Sequence, residues 1–301
     1  MPHNKDSLPN TLIVATVLCL VCSTLVSVAA VGLKSIKDRN ILLDRKSNIL
    51  AVAGFESDQI KSAGGIDELF KSRFDARIID LATGNDAVDQ CKAAMEGAGK
   101  VLDDVVGDYD QLWASKSKKD QDWGKKNDKE PICLRLEKKA DIAGIKYREN
   151  FSHVFILKSE SGAVDKYVFP VRGMGLWSMM RGYLAVEPDL QTVAGLTFYE
   201  QGETPGLGGE IVNEQWKAKW TGKQIYSDGE VLLEVCKGDQ TNNEYGVDAL
   251  SGATITSNGV TKMIDYWMGP DGFGPFIKRQ KTEAPSSAST LKASKLGGNR
   301  G

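Results

Sequence analysis

The sequence predicts an α+β protein in which an N-terminal transmembrane helix precedes a soluble domain with an antiparallel sheet and flanking helices. Two observations lead to this prediction. Residues 11–33 form an uninterrupted apolar segment, and short β-rich runs separated by turn residues follow one another after residue 150. With 301 residues, of which 41% are hydrophobic and 26% charged, the chain is long and apolar enough for one large or two small domains.

The charge balance and the histidine count exclude several classes of protein. Lys and Arg number 38 against 40 for Asp and Glu, so the chain lacks the basic excess that nucleic-acid binding requires. The two histidines are His3, which precedes the apolar segment, and His153. A Ser-His-Asp hydrolase or a histidine-rich zinc site would therefore depend on His153 alone, and no G-x-S-x-G motif is present.

The five cysteines do not follow the spacing of a zinc or iron–sulfur site. Cys19 and Cys22 lie inside the apolar segment, where small lipid-facing or core residues are favoured over a redox or metal pair. Cys91, Cys133 and Cys236 are far apart, and the sequence does not determine whether any two of them pair. We predict no metal site.

The apolar segment at residues 11–33, preceded by a short leader at 1–10, predicts a single-pass membrane anchor. As a helix its 23 uncharged residues reach about 34 Å, enough to cross a hydrocarbon core of about 30 Å. A cleaved signal peptide is the alternative, because Val28, Ala29 and Ala30 offer small residues. Signal peptides, however, have a shorter apolar region and a more basic leader. We therefore expect residues 11–33 to contact the lipid bilayer.

The charges that flank this segment predict an orientation. Lys34, Lys37, Arg39, Arg45 and Lys46 follow it, whereas only Lys5 and the amino terminus precede it. Taken literally, the positive-inside rule places most of the protein in the cytoplasm.

Residues 34–149 are predicted to form a helical membrane-proximal region. Ile66, Leu69 and Phe70 have helical spacing, and Ile78 and Leu81 continue it loosely. A lysine-rich insert at 107–131 is predicted to be an exposed loop, because aspartates dilute its lysines. Residues 280–301 are basic, of low complexity and predicted to be disordered.

Residues 150–279 are predicted to form the soluble domain. Asp228-Gly229 between two β-rich runs predicts a hairpin. The predicted strands cover 154–157, 166–171, 182–186, 193–199, 224–226 and 230–235.

Two glycine-rich loops, Gly173–Ser178 and Glu203–Gly209, lie within this domain. Glycine is needed where φ is positive or where a ligand touches the backbone. Each loop on its own is also consistent with an ordinary turn between strands. Neither contains G-x-G-x-x-G in a βαβ context, so a dinucleotide site is a poor fit.

A third segment, from Asp248 to Ser257, precedes an amphipathic helix with apolar side chains at Val260, Met263 and Trp267. Ser257 or Asn258 is predicted to cap that helix, so that Thr254 lies in a turn shortly before its N-terminus. The free N–H groups of a helix N-terminus favour a phosphate. A capping segment without a ligand is the alternative.

These residues resemble a known family. Asp248 to Thr254 match every fixed position of D-x-x-[ST]-G-A-T, the flavinylation motif of the FMN-binding domain shared by respiratory flavoprotein subunits. The two glycine-rich loops are similar to signatures of the same domain. The single N-terminal span and the Gly272–Phe276 ending resemble the NqrC family, the flavoprotein subunits of the Na⁺-translocating NADH:quinone oxidoreductases (NQR complexes). The resemblance covers residues 40–279.

The resemblance implies the residues of a covalent FMN site. The last threonine of the motif, Thr254, would carry FMN through a phosphoester bond that a flavin transferase makes from FAD. Asp248 would help to present it. The nearby residues implied to contact the phosphate or cap the helix are Ser251, Gly252, Ala253, Thr256 and Ser257. Those implied to line the isoalloxazine and ribityl groups are Gly175, Leu176, Trp177, Ser178, Glu203, Thr204, Gly206 and Leu207.

The resemblance also implies an electron carrier that acts only within a complex. FMN would relay electrons from NADH toward ubiquinone, coupled to sodium export, and the other subunits would supply catalysis. The family places this domain on the periplasmic side of the bacterial inner membrane, against the positive-inside rule. Neighbouring subunits can fix such an orientation.

Two alternatives remain open. One is the flavoprotein subunit of the related ferredoxin:NAD⁺ oxidoreductase; the long segment between span and domain and the Gly272–Phe276 ending disfavour it. The other is a flavin-free, membrane-anchored assembly protein, which an unmodified Thr254 would favour. The sequence does not identify a sodium site, the neighbouring redox centres or the flavin potentials.

Overall fold

A computed structural model describes residues 8–97 and 133–283 of the protein, except for the side chain of residue 38. The lysine-rich insert predicted at 107–131 and the tail from 284 onward lie outside the described residues. The chain divides into two compact units, Met1–Ser47 and Asn48–Gly301.

The first unit contains helix α1 (Leu8–Gly32) and most of helix α2 (Lys34–Val52). α1 begins slightly before the predicted residue 11 because Pro9 is compatible with a first helical turn. The hydroxyls of Ser23 and Thr24 donate to the carbonyl of Leu20, so they do not need water as a partner. By length and composition α1 can cross a membrane, as predicted.

The second unit begins with the last turn of α2, followed by α3 (Ser57–Ser62) and α4 (Ile66–Arg73). α4 confirms the helix predicted from Ile66, Leu69 and Phe70. Leu69 is buried, and Ile66 and Phe70 pack beside it in the same apolar cluster.

The prediction that the helical pattern continues through Ile78 is wrong. Strand β1 (Phe74–Asp80) occupies this position and pairs antiparallel with a strand from the later part of the chain. In this strand Phe74, Ala76 and Ile78 alternate with Asp75 and Arg77. This period-2 pattern is only five residues long, and Ile78 also has helical spacing with Leu81, so the sequence predicted a helix. The next elements are α5 (Val88–Gly97) and a small antiparallel pair, β2 (Cys133–Arg135) and β3 (Tyr147–Glu149).

The main sheet confirms the predicted antiparallel arrangement. The first four of the six predicted strands form a meander of β4 (Phe151–Lys158), β5 (Val164–Met174), β6 (Met179–Val186) and β7 (Val193–Glu200). β1 adds to its β4 edge, which gives the order β1-β4-β5-β6-β7.

Both faces of this sheet are covered by helices. Phe169 and Leu184 belong to one apolar cluster, whereas their strand neighbours Val168 and Tyr183 belong to the other. Since successive side chains point to opposite faces, burial of both faces explains why these strands are nearly continuous apolar runs.

The chain then returns across one face of the sheet. Asp228 and Gly229, both with positive φ, form the predicted hairpin turn. Residues 246–248 pair parallel with residues 234–236, an arrangement that the sequence did not predict. The elements are a 3₁₀ turn (Gly208–Val212), α6 (Glu214–Ala218), β8 (Tyr226–Ser227), β9 (Glu230–Val231), β10 (Glu234–Cys236), β11 (Gly246–Asp248), α7 (Thr254–Met268) and α8 (Gly274–Glu283).

Helix α7 packs closely on β5. A Cβ added to Gly173 would lie 2.7 Å from the Cβ of Met263, so only glycine permits this approach. One turn further along α7, the indole N–H of Trp267 donates to the carbonyl of Arg172 at 2.7 Å. These two contacts fix the position of α7 along the strand.

The helix boundaries differ from two predictions. α7 begins at Thr254, one turn before the predicted cap, because the hydroxyl of Ser257 accepts from the N–H of Leu250 within the turn that leads into the helix. α8 continues to Glu283, past the predicted start of disorder at 280, and Arg279 pairs with Glu283 at i,i+4.

Candidate functional site

Three segments that are distant in sequence meet at one end of the main sheet. They are the β5–β6 turn at 175–178, the loop at 203–209 and the first turn of α7. The turn is closed by a hydrogen bond from the N–H of Gly175 to the carbonyl of Ser178 (2.8 Å). The two glycine-rich loops and the motif that ends at Thr254 are therefore brought together by the fold.

The carboxylate of Glu203 joins all three segments. It accepts hydrogen bonds from the backbone N–H groups of Leu176, Trp177 and Ser178 at 3.0, 3.0 and 3.1 Å. The hydroxyl of Thr256 in the first turn of α7 donates to Oε2 of Glu203 at 2.6 Å. Glu203 is only 5% exposed, so these bonds replace the water that the carboxylate loses on folding.

Opposing effects act on the pKa of Glu203. Burial raises the pKa, but the hydrogen bonds from Thr256 and from the three backbone N–H groups outweigh burial. The pKa of Glu203 in the folded protein is therefore below its ordinary value of 4.5. The folded state holds this group as a carboxylate.

This lowered pKa predicts a contribution to stability that depends on pH. A carboxyl group whose pKa is depressed on folding stabilises the folded state above its unfolded pKa and loses that effect as pH falls through the folded value. We expect the free energy of unfolding of the wild type to fall more steeply than that of Glu203→Gln as pH drops below 4.5. Urea denaturation of both proteins at pH 7 and along an acid series measures the difference, and parallel curves would contradict the prediction.

Two glycines of the loops are needed because of this carboxylate. A Cβ on Gly175 would lie 2.6 Å from Oε1 of Glu203. A Cβ on Gly208 would lie 2.5 Å from the hydroxyl of Thr256 and 3.0 Å from Oε2 of Glu203. The loops are rich in glycine at these positions because their backbones close around a buried side chain.

The hydroxyl groups near the start of α7 differ in accessibility. Thr256 and Ser257 are each 1% exposed and hydrogen-bonded, whereas Ser251 and Thr254 are exposed. Thr254 is the first residue of the helix, and the first helical hydrogen bond runs from the N–H of Ser257 to the carbonyl of Ala253. The N–H groups of residues 254–256 precede that bond, so they are available to an anion at this end of the helix.

Apolar side chains surround this end of α7 without being buried. Trp177 is 67% exposed and Ile255 57% exposed, and Leu176 and Leu207 are also exposed. Leu207 lies over the turn at Gly252, which has a φ of +70°, since a Cβ there would be 3.0 Å from Cδ2 of Leu207. A flat aromatic ligand would find apolar contacts here.

Other implied site residues have structural contacts. Asp248 bonds the ammonium of Lys219 and accepts from the N–H of Gln240 at 2.7 Å, and these groups hold its pKa below the usual range. The carbonyl of Thr204 accepts from the N–H groups of Leu207 and Gly209, and Gly206 has a φ of +76°. A role for Asp248 in presenting Thr254 stays a prediction.

The remaining candidate groups lie elsewhere. His153 is buried in β4, where its ring stacks on Phe155 at a centroid distance of 5.5 Å. None of the five cysteines, all of which the structure describes, forms a disulfide. Within residues 8–97 and 133–283, no group of three His, Cys, Asp or Glu side chains is arranged to hold a metal.

The interactions of Glu203 are the feature of the site that sequence reasoning missed. The sequence singled out this residue as one that lines a ligand, whereas its contacts are with the protein itself. An acidic residue within a glycine-rich loop was the available sequence signal, but its burial and its partners, from segments 25 and 53 residues away, are set by the fold.

Comparison with known proteins agrees with this geometry. Residues 175–269 match a family model described as an FMN-binding domain, which includes the turn, the loop and α7. The NqrC protein of the Na⁺-translocating NADH-quinone reductase of Pasteurella multocida is 41% identical over 282 residues, covering 93% of this chain and 97% of that protein. The corresponding protein of Yersinia pestis is 37% identical over 285 residues, covering 94% and 97%.

Solved structures show the same fold. The crystal structure of Shewanella oneidensis NqrC is similar with a TM-score of 0.63 and 30% sequence identity, covering 82% of this chain and 99% of that one. The structure of the corresponding protein from Parabacteroides distasonis, at 24% identity and a TM-score of 0.55, is similar in fold.

Proposed function

Because this chain belongs to the NqrC family of the Na⁺-translocating NADH-quinone reductases, we propose that it relays electrons through an FMN bound covalently at Thr254. The relay would run from NADH toward quinone within the complex, coupled to sodium export. The observation that supports this most strongly is the exposed hydroxyl of Thr254 at the first residue of α7, beside the other two segments of the site.

The residues around Thr254 fit an FMN phosphoester. The phosphate would attach to Oγ1 of Thr254 and accept hydrogen bonds from the N–H groups of residues 254–256, where the helix dipole also favours negative charge. Ser251 is the other exposed hydroxyl of the motif, but it precedes the helix. The site therefore favours Thr254 as the acceptor, and the buried Thr256 and Ser257 as structural residues.

Attachment requires a single group transfer from FAD, catalysed by a flavin transferase. A bond forms between Oγ1 of Thr254 and the phosphorus of the FMN half of FAD, while the pyrophosphate P–O bond breaks and AMP leaves. The proton of the threonine hydroxyl goes to a base of the transferase. The chain gains FMN minus one water.

When bound, FMN supplies one- and two-electron redox chemistry, and the protein supplies position and environment. Trp177, Leu176 and Leu207 would pack against the ring and exclude water from part of it. Because these side chains are exposed, they leave an edge of the site open to a redox partner. The isolated protein is not expected to oxidise NADH, and the other subunits of the complex are its proposed partners.

We further propose that α1 anchors the chain in the bacterial inner membrane, with the second unit on the periplasmic side. Its length and apolar composition support the anchor. The family resemblance supports the periplasmic side over the orientation that the flanking lysines and arginines predict.

An intact-mass measurement on protein produced together with a flavin transferase tests the covalent site. We expect the mass of the unmodified chain plus FMN minus water. A folded, unmodified chain in the presence of an active transferase would instead favour a flavin-free assembly protein. In the assembled complex, loss of the attachment site should abolish quinone reduction while NADH oxidation with an artificial acceptor persists, which tests the relay.

A further inference from the structure

Glu203 has the contacts of a residue that organises the site. It lies at the centre of three segments, and its carboxylate is their shared hydrogen-bond acceptor. We propose that Glu203 is a positioning residue, which holds the turn at 175–178 and the first turn of α7 at the separation that a Thr254-linked flavin requires. This inference rests on the proposed attachment at Thr254.

The carboxylate has no acceptor capacity left for a flavin. Oε1 accepts from the N–H groups of Trp177 and Ser178, and Oε2 accepts from the N–H of Leu176 and the hydroxyl of Thr256. A carboxylate has about four lone-pair positions. These four donors use them, and the hydroxyl of Ser178 makes a fifth, longer contact to Oε1 at 3.4 Å. Glu203 therefore acts on the flavin through its neighbours, whereas the resemblance implied that it lines the isoalloxazine and ribityl groups.

The groups that Glu203 holds are those that would contact the cofactor. Leu176 and Trp177, whose N–H groups it binds, present exposed apolar side chains. Thr256, whose hydroxyl it binds, lies in the same helical turn as Thr254. One side chain thus sets the distance between the ring contacts and the attachment oxygen.

The interaction requires a carboxylate. A glutamine at position 203 has one oxygen and one NH₂ group, and either orientation turns the NH₂ toward donors. If the NH₂ group faces Thr256, the hydroxyl can rotate and accept, but the N–H of Leu176 then faces another donor and has no acceptor. If the NH₂ group takes the position of Oε1, the N–H groups of Trp177 and Ser178 both face a donor and lose their acceptor. Glu203→Gln should therefore loosen the turn in both orientations.

Asp189 offers a control for the same chemical change at an exposed carboxylate. Its carboxylate accepts from the N–H groups of Gln191 and Thr192 at 2.8 and 2.9 Å and from the hydroxyl of Thr192 at 2.6 Å. It lies in the β6–β7 turn, at the opposite end of β6 from the 175–178 turn. Asp189→Asn makes the same carboxylate-to-amide change in a network that does not touch the proposed flavin site.

The test compares wild type, Glu203→Gln and Asp189→Asn as full-length chains. FMN incorporation from FAD by a flavin transferase is followed by intact mass, and the visible absorption spectrum and midpoint potential are recorded on the modified fraction. We expect incorporation by Glu203→Gln to be about tenfold slower because its buried polar network is disrupted, with a shifted spectrum or potential. Asp189→Asn should match wild type in all three readouts.

Each outcome has a distinct meaning. If Glu203→Gln and Asp189→Asn behave alike, Glu203 is only structural and the proposal is wrong, although attachment at Thr254 stands. If wild type takes up no FMN, the proposed function fails first. If circular dichroism shows that Glu203→Gln does not fold, the test uses two variants of Thr256 instead. Thr256→Val breaks only the hydrogen bond between Glu203 and α7 and should slow FMN incorporation. Thr256→Ser keeps the hydroxyl and should incorporate FMN at the wild-type rate. Equal rates for these two variants would overturn the proposal.

Discussion

Replacing Thr254 with valine is expected to abolish covalent FMN incorporation completely. Valine has nearly the same shape but lacks the hydroxyl oxygen that the phosphoester requires. Because Thr254 is exposed, its replacement should change the free energy of unfolding by no more than about 0.5 kcal/mol. Intact mass after production with a flavin transferase measures attachment, and urea denaturation measures stability.

Two matched variants make this result specific. Thr254→Ser keeps a hydroxyl at the first residue of α7 and should still accept FMN. Ser251→Ala removes the other exposed hydroxyl of the motif and should leave the mass gain unchanged. Attachment that persists in Thr254→Val, or disappears in Ser251→Ala, would move the acceptor to a different residue.

Gly259→Ala is expected to destabilise the protein, although the same change normally stabilises a helix. Alanine is favoured over glycine within a helix by about 1 kcal/mol. Here the new Cβ would lie 2.5 Å from the backbone carbonyl oxygen of Met174 and 3.4 Å from the Cα of Gly175. Met174, at the end of β5, is held by its hydrogen bond to Ala143 and by pairing with β6. Its carbonyl therefore cannot easily move away from the new Cβ. Overpacking of this kind costs about 1–3 kcal/mol and should outweigh the gain in helix propensity.

Urea denaturation of Gly259→Ala and of Asn258→Ala measures this difference. Asn258 is the neighbouring residue in α7 and is exposed, so alanine there should be neutral or stabilising. Because the clash separates α7 from the 175–178 turn, FMN incorporation by Gly259→Ala should also slow. Equal stabilisation of both variants would show that α7 does not approach β5 so closely.

The sequence predicted the meander well because each of its strands is a short apolar run between turn residues. It missed β1, because Ile78 and the following Leu81 have helical spacing, whereas pairing with β4 determines the conformation of Ile78. It also misplaced the start of α7. Ser257 is a good capping residue by type, but its hydroxyl accepts from Leu250, a contact that depends on how the preceding turn folds.

By itself the sequence determined the α+β class, the apolar N-terminal helix, the three motifs and Thr254 as the candidate acceptor. The class and the apolar helix follow from composition and local periodicity, which can be read along the chain, whereas Thr254 as the acceptor comes from the resemblance of the motif to the FMN-binding domain family. Only the tertiary structure decided that the motifs meet, that Thr254 is exposed while Thr256 is buried, and that Glu203 joins them. Those facts depend on hydrogen bonds between residues 25 to 53 positions apart. Such contacts form only when β5, β6 and α7 pack together, and no local pattern in the chain encodes their geometry.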